Sequence, residues 1–393
     1  MKTLIELYDD SPIENVLATE MFRPEETVLI CPPEAAGSKH LREGLTRYFR
    51  RREVPVKLTF VPVSLLDAGK IAQALTRVLG EKADCALDIS GGTDATLFAA
   101  GAVAGDHPVF TYSRKNNTFY EIQNAPFARS LPCTVRLDAA SCFLMAGGEL
   151  KPGREDNRVL EDYLTRIDRA FEVYSAFRGV WNRQIACLQR VSSAAPGELT
   201  AEGPRMVKAD RGRVPIDTDL LRALARAGLI LDLEVEEDSF RFRFQDEVVR
   251  FWLRDMGSAL ELYVWKCCRE AGCFDDVVLS AVVDWHSGVS ALGEKRGDAV
   301  TNEIDVMAVQ GIQPLFISCK TCEIHTEALN ELAILRDRFG GKYARAMIVS
   351  SGPAPRSGSP VRRRAAELGI EVVDWQDLAS GSLVSRLRRE EEK

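Results

Sequence analysis

Glu303 and Asp305 stand two residues apart in NEIDVMAVQGIQPLFISCKT, residues 302–321, and Lys320 closes the apolar run that begins at Pro314. Carboxylates beside a lysine in a half-buried sheet are what phosphodiester hydrolysis requires. The acids hold Mg2+ or Mn2+, and the cation orients water or offsets charge developing on the phosphorus oxygens. With Gly311 and Ile312 as the central residues of a two-residue turn, Asp305 faces Ser318 across the hairpin and Glu303 faces Lys320. Directly opposed residues share a face, so these four polar groups gather on one side and Ile304, Val306, Ile317 and Cys319 fill the other. A turn longer by one residue sets Asp305 against Cys319 instead. The plain alternative is a surface ion pair between Glu303 and Lys320, worth at most about 1 kcal/mol.

A second stretch, LDISGGTDATLFAAGAVAG at residues 87–105, sets Ser90, Gly91, Gly92 and Thr93 between a strand and a helix. Glycines and a hydroxyl at a helix N-terminus leave backbone N–H groups and a positive dipole end that suit phosphate. Thr93 serves equally as an N-cap. The first strand ends in the polar loop YDDSP, residues 8–12. Both loops are expected at carboxyl ends of parallel strands, where open α/β sheets bind ligands.

The elements that must position these residues fall into three regions. Residues 1–150 alternate short apolar runs with helical patterns, strands at Thr3, Thr27, Val56, Cys85 and Pro108 with helices between them, which predicts a doubly wound parallel sheet. The pattern changes around Gly147, Gly148, Pro152 and Gly153. Residues 151–255 read as a helical connector, apolar at helical spacing from Asn157 to Val191, followed by a helix and two alternating strands with the outline of a winged helix. Residues 256–393 open with a helix, Ser258–Glu270, ended by Gly272, and continue as a second α/β domain.

The apolar fraction of 46% and charged fraction of 28% are those of a globular chain. A net charge of −7 means that any nucleic acid is met by local basic patches or metal ions. MKTLIELYDD carries no charged and apolar leader pattern, and no run is long enough to span a bilayer, so a cytoplasmic location is expected. The ten cysteines follow no framework spacing and are expected to stay reduced. Cys319 and Cys322 form a lone Cys-x-x-Cys, and tetrahedral zinc needs four ligands. His286 and His325 lack a paired spacing and read as structural.

Asp305, Ser318-Cys319-Lys320 and a preceding helix with Glu261 in GSALELYVWKCC resemble the PD-(D/E)XK restriction-endonuclease-like superfamily. The resemblance implies that Glu261 and Asp305 bind metal and that Lys320 is the catalytic lysine. Ser318 stands where an acid is expected and is a poorer ligand for a hard divalent ion. That leaves the site to recruit Glu303, to bind metal weakly, or to be inactive.

Together with LYDDSPIENVLATEMFRPEETVLI and DISGGTDATLFAAG, this segment makes the chain resemble the CARF-domain ancillary nucleases of type III CRISPR systems. The fold so implied is a Rossmann-like CARF domain, a winged-helix-like connector and a restriction-endonuclease-like α/β domain. The function implied is low-specificity cleavage of DNA or RNA in antiviral defence, activated by a cyclic oligoadenylate, with cyclic tetra-adenylate as the expected ring. Ser90, Gly91, Gly92 and Thr93 would contact its phosphates or adenines, with Asp9, Asp10 and Ser11 lining the other side. The ring's approximate twofold symmetry implies a homodimer. Asp94 departs from the pattern, since the family often has Lys after GGT. Lys342, Arg345 and Arg362 to Arg364 are candidates to grip the sugar-phosphate backbone. The competing reading is a ligand-controlled winged-helix regulator with a degenerate nuclease domain, though its helix offers only Arg222 and Arg226 as cations.

Overall fold

Short strands whose apolar residues point to both sides, as Leu4 and Ile5 do, are buried only with helices on both faces, and the N-terminal sheet meets that demand. The computed structural model describes residues 1–151, 157–192, 197–209, 212–285 and 301–388. In chain order the first unit holds β1 (Thr3–Leu7), α1 (Leu17–Phe22), β2 (Glu26–Cys31), α2 (Pro33–Gly37), α3 (Lys39–Arg51), β3 (Lys57–Pro62), α4 (Ala68–Glu81), β4 (Cys85–Asp88), α5 (Asp94–Val103), β5 (Val109–Ser113), β6 (Thr118–Gln123) and β7 (Leu131–Pro132). The strand order is β3-β2-β1-β4-β5-β6-β7. Strands β1 to β5 pair in parallel, and β6 and β7 close the edge antiparallel. The order reverses between β1 and β4, so the loops after these two strands flank the crevice expected of such sheets.

Two short elements then leave this sheet, α6 (Ala139–Met145) and β8 (Glu149–Lys151). β8 pairs not with its own neighbours but with a strand of the C-terminal sheet. The connector follows with α7 (Asn157–Glu161), α8 (Leu164–Val191), β9 (Thr200–Pro204), β10 (Met206–Ala209), β11 (Gly212–Pro215), α9 (Thr218–Arg226), β12 (Ile230–Val235), β13 (Ser239–Phe244) and α10 (Glu247–Trp252). α8 bends at Phe177, whose φ −110° and ψ 16° are non-helical. Helix α9 with the sheet β12-β13-β9 has the winged-helix outline, and β10 and β11 add a hairpin.

The last unit holds α11 (Ser258–Ala271), β14 (Asp276–Asp284), β15 (Thr301–Gln310), β16 (Gln313–Lys320), α12 (Thr326–Gly340), β17 (Arg345–Ser350), α13 (Pro360–Glu367), β18 (Ile370–Val373), α14 (Trp375–Ala379) and α15 (Leu383–Arg388). Its strands run β18-β17-β16-β15-β14-β8. One face packs on α8, α11 and α15 through Trp181, Leu260, Trp265, Ile317 and Leu387. The other packs under α12 through Phe316, Ile348, Leu332 and Phe339, in a core that runs without a break into Phe143, Phe110 and Leu4 of the first unit. A shared core ties the two α/β units together mechanically, because close-packed interiors transmit displacement. Among the described residues no helix is long and apolar enough to cross a membrane. His286 lies outside the described residues.

Candidate functional site

The β15–β16 hairpin has the register read from its sequence. Val306 pairs with Ile317 and Gln310 with Gln313, and Gly311 takes the φ of +57° that the two-residue turn demands. The ladder ends at Val306 and Ile317. Beyond it β16 continues along β17, with Lys320 beside Ser350, while β15 continues along β14, with Glu303 beside Val282. Between the splayed strands Asp305 Oδ2 accepts the Cys319 N–H at 2.6 Å and the Ser318 hydroxyl at 3.3 Å. Glu303, Asp305, Ser318 and Lys320 line one cavity of about 100 Å3, roofed by Glu331 and Leu332 of α12.

One facing differs from the expectation. Val306 packs with Leu279 under α11, whereas Ile304 packs with Ala281 under α12. Both strands reverse their facing across Asp305 because Ser280, which lies opposite in the register, has φ +49° and its pair is skipped by the ladder. A left-handed residue in a strand costs energy for any side chain but glycine, and here it sits beside the site.

Glu261, in the first turn of α11, lines a neighbouring cavity with Asp255, Ser258 and Ser280. Burial pushes its carboxyl up to about 8, helped by the charges of Asp305, Asp255 and Glu303 and opposed by Lys320. Burial raises Asp305 as well, against the Cys319 N–H, Lys320 and the Ser318 hydroxyl. The acids thus sense one another's charge in a setting short of positive charge. Their oxygen donors are the kind that hard divalent ions prefer, so they fit such an ion in chemistry and charge. They are not a closed cage, since among the described residues no three Asp, Glu, His or Cys side chains converge at ligand distance. Ser318, where the resemblance expects a further acid, brings a hydroxyl to the cavity instead.

At the other end of the chain the two loops meet. Asp9 Oδ1 accepts the Ser11 N–H at 2.8 Å and its Oδ2 accepts the Gly92 N–H at 3.1 Å. Gly92 has φ +106°, and a Cβ at Gly91 would lie 3.0 Å from the Cβ atoms of Asp9 and Glu14, so both positions need glycine. Two expectations are corrected here. The Gly92 N–H, read as open to phosphate, is taken by Asp9. The Ser90 hydroxyl points inward, donating to Asp88 and accepting the Tyr112 N–H at 2.8 Å. Ser11 is largely buried against Gly341, and with Asp9 and Asp10 it lines the cleft between the loop after β1 and the end of α12. Thr93 caps α5 by accepting the Thr96 N–H at 3.4 Å, while Asp10, Thr93 and Asp94 are exposed. Beneath the loops Glu6 and Asp88 pair in register, both buried. Burial lifts Glu6 to about 8, with Asp88 adding to it, and burial lifts Asp88 to about 7.

The backbone-gripping cations are also differently placed. Lys342 pairs with Glu14 and Asp9, Arg345 with Glu371, Arg362 with Asp374 and Arg364 with Glu367. Each of these four cations has an acidic neighbour. Cys319 is buried and Cys322 exposed, and all ten cysteines are free thiols. His325 is the N-cap residue of α12 without a side-chain cap bond. Sequence reasoning missed the contact of Glu14, Lys342 and Tyr343. Its only local sign is an acid inside the apolar stretch PIENVLA.

Residues 245–388 match the family model of the Card1-like endonuclease domain. Over 98% of this chain and 97% of the other, the fold is similar to that of protein VC1899 from Vibrio cholerae, with a TM-score of 0.72 and 19% identity. It is similar, over 98% of this chain and 99% of the other, to Can2 from Sulfobacillus thermosulfidooxidans in complex with cyclic tetra-adenylate, with a TM-score of 0.70 and 16% identity. A type III CRISPR defence DNA nuclease activated by cyclic oligoadenylate aligns with 98% of this chain and 51% of its own length, at a TM-score of 0.52 and 14% identity. No curated protein matches the sequence. The chain thus shares the overall fold of these structures, and residues 245–388 are similar to the Card1-like endonuclease domain in sequence as well.

Proposed function

We propose that the protein is a nuclease activated by a cyclic oligoadenylate, with cyclic tetra-adenylate as its ring, that cuts DNA or RNA with low sequence specificity in type III CRISPR defence in the cytoplasm. The observation that carries this reading is the single cavity holding Asp305, Ser318, Glu303 and Lys320, within a segment matched by an endonuclease-domain family. Architectural likeness to Can2 bound to cyclic tetra-adenylate supports the choice of activator. We take residues 1–150 as the sensor, 151–255 as the connector and 256–393, with β8 added to its sheet, as the nuclease domain.

Lys320 brings an ammonium group to the cavity, where it offsets negative charge gathering on the oxygens of the scissile phosphate. Asp305 is fixed by the Cys319 N–H, so acid and lysine are held by one strand, and Asp305 in turn orients the Ser318 hydroxyl. Glu303 sits at the exposed rim. A bound Mg2+ or Mn2+, held by Asp305 and Glu303 with Glu261 and the Ser318 hydroxyl, would act as a Lewis acid on the phosphate.

Dimerisation fits the exposed apolar surface of the first unit, where Phe98 of α5 is 73% exposed and Leu66 is 94% exposed. The regulator reading is weaker, since α9 offers only Arg222 and Arg226 as cations and sets the acid Asp219 2.9 Å from the first of them.

Cleavage of labelled single-stranded DNA, supercoiled plasmid and RNA, with and without cyclic tetra-adenylate and with Mg2+, Mn2+ or a chelator, tests the reading. We expect cutting only when both ring and divalent ion are present. A full-length protein that neither binds the ring nor cuts any substrate would overturn it.

A further inference from the structure

The turn that ends α12, Gly341–Tyr343, belongs to the helix layer over the candidate nuclease cavity, yet it rests on the loop that ends β1. Lys342 Nζ lies 2.9 Å from Glu14 Oε1 and 3.4 Å from Asp9 Oδ2. The Tyr343 hydroxyl donates to Glu14 Oε1 at 2.5 Å. Arg114, from the turn between β5 and β6, donates to the Lys342 carbonyl and lies over the Tyr343 ring, 5.3 Å from its centre. A cleft of about 530 Å3 opens at this junction, lined by Asp9, Asp10, Arg114, Arg336 and Lys342. Among the described residues, Ser11 Oγ and Glu14 Oε2 are buried there without a hydrogen-bond partner.

We propose that Lys342, supplied by the nuclease domain, is a ligand-binding residue of the sensor, and that on binding its ammonium group passes from Asp9 to a phosphate of the ring. The inference rests on the activator reading above and names a residue and a coupling that the reading leaves open. Three relationships carry it. The sensor loops are acidic at Asp9, Asp10 and Asp94, so a polyanion needs a cation to approach them. Of the cations lining the cleft, Arg336 is tied to Asp337 at 2.7 Å and to the Leu368 carbonyl at 2.5 Å, whereas Lys342, 49% exposed, reaches the acids of the sensor loop itself, Glu14 at 2.9 Å and Asp9 at 3.4 Å. Finally, one atom, Asp9 Oδ2, accepts from Gly92 N–H and faces Lys342 Nζ. These are the two kinds of group that hold phosphates elsewhere, a loop N–H and an ammonium. A phosphate oxygen replacing that carboxylate oxygen takes over both.

The exchange has a route to the other site. Helix α12 begins beside the cavity of Asp305 and Lys320, where Ala328, Glu331 and Leu332 line its wall, and ends two residues before Lys342. Moving Lys342 off Asp9 therefore moves the far end of the helix that roofs the candidate nuclease cavity. Binding affects that cavity because the ring contacts Lys342 differently in its two positions, as population shift requires.

The test uses the full chain, fluorescent cyclic tetra-adenylate, and the Lys342→Ala and Lys342→Arg variants. We expect Lys342→Ala to weaken ring binding by about 10- to 100-fold, the worth of one charge-assisted hydrogen bond, with a shallower salt dependence. Lys342→Arg should restore most of the affinity, and thermal melts should show all three proteins equally folded. Wild-type protein that binds no ring removes the activator reading itself. Wild-type protein that binds it, beside a Lys342→Ala variant of equal affinity and equal activation, overturns this inference alone.

Discussion

Asp305 Oδ2 accepts the Cys319 N–H at 2.6 Å, so the acid of the hairpin is held by the backbone of the strand that carries Lys320. A flexible ion pair would leave the two side chains to find each other, whereas this bond sets one strand end against the other. Preorganisation of that kind is how a site holds catalytic groups at no cost at the moment of reaction.

Ser318, whose hydroxyl lies 3.3 Å from Asp305 Oδ2, is the position where an added acid would complete the donor set. Replacing Ser318→Glu should lower the Mn2+ concentration for half-maximal cleavage by roughly tenfold, since affinity for hard ions follows the number of charged oxygen ligands. Metal titrations of the cleavage rate check this. An unchanged or higher requirement would mean that position 318 does not face the ion.

Gly92 combines φ +106° with a Cβ position only 2.6 Å from Thr96 Oγ1 and 3.0 Å from Leu7 Cβ. Gly92→Ala should destabilise the protein by about 1–3 kcal/mol through backbone strain and abolish the response to cyclic tetra-adenylate. Denaturant unfolding together with ligand titration reads both effects. Wild-type stability and response would show that the loop tolerates a side chain there.

Glu6 and Asp88 lie side by side and buried beneath the sensor loops, with burial raising both carboxyls, Glu6 from 4.5 to about 8. The folded state holds these protons more tightly than the unfolded chain, so proton release opposes folding. Their contribution is fully present below pH 4 and is lost as pH rises through 7 to 8. Thermal melts between pH 5 and 8.5 should therefore show a falling Tm, flattened in Glu6→Gln. Equal slopes in the two proteins would contradict the assignment.

Much of this architecture is legible in the sequence, and what is not has a common cause. The hairpin register followed from the turn at Gly311 and Ile312, a local signal. The facing of Ile304 could not follow, because it is set by the φ +49° of Ser280 on a strand that the hairpin's own residues do not describe. β8 is three residues long and is a strand only because Val282, Val283 and Asp284 pair with it. The contact of Lys342 with Asp9 spans 333 positions, and the partner of the Gly92 N–H is likewise remote in sequence, since it comes from another loop.

Phe98 and Leu66 should lie on the surface between two copies of the chain. Substituting Phe98→Asp with Leu66→Asp should shift a dimer to monomer in sedimentation measurements and weaken ring binding. A parent protein that is already monomeric with the ring bound would remove the twofold arrangement.

The most direct test of the central claim is the single-turnover cleavage rate, with saturating cyclic tetra-adenylate and Mn2+, of wild-type protein against Lys320→Ala. The account predicts a loss of at least about 100-fold, in the range of removing one group that stabilises transition-state charge, with ring binding unchanged. A Lys320→Ala protein that cuts as fast as the wild type would contradict it.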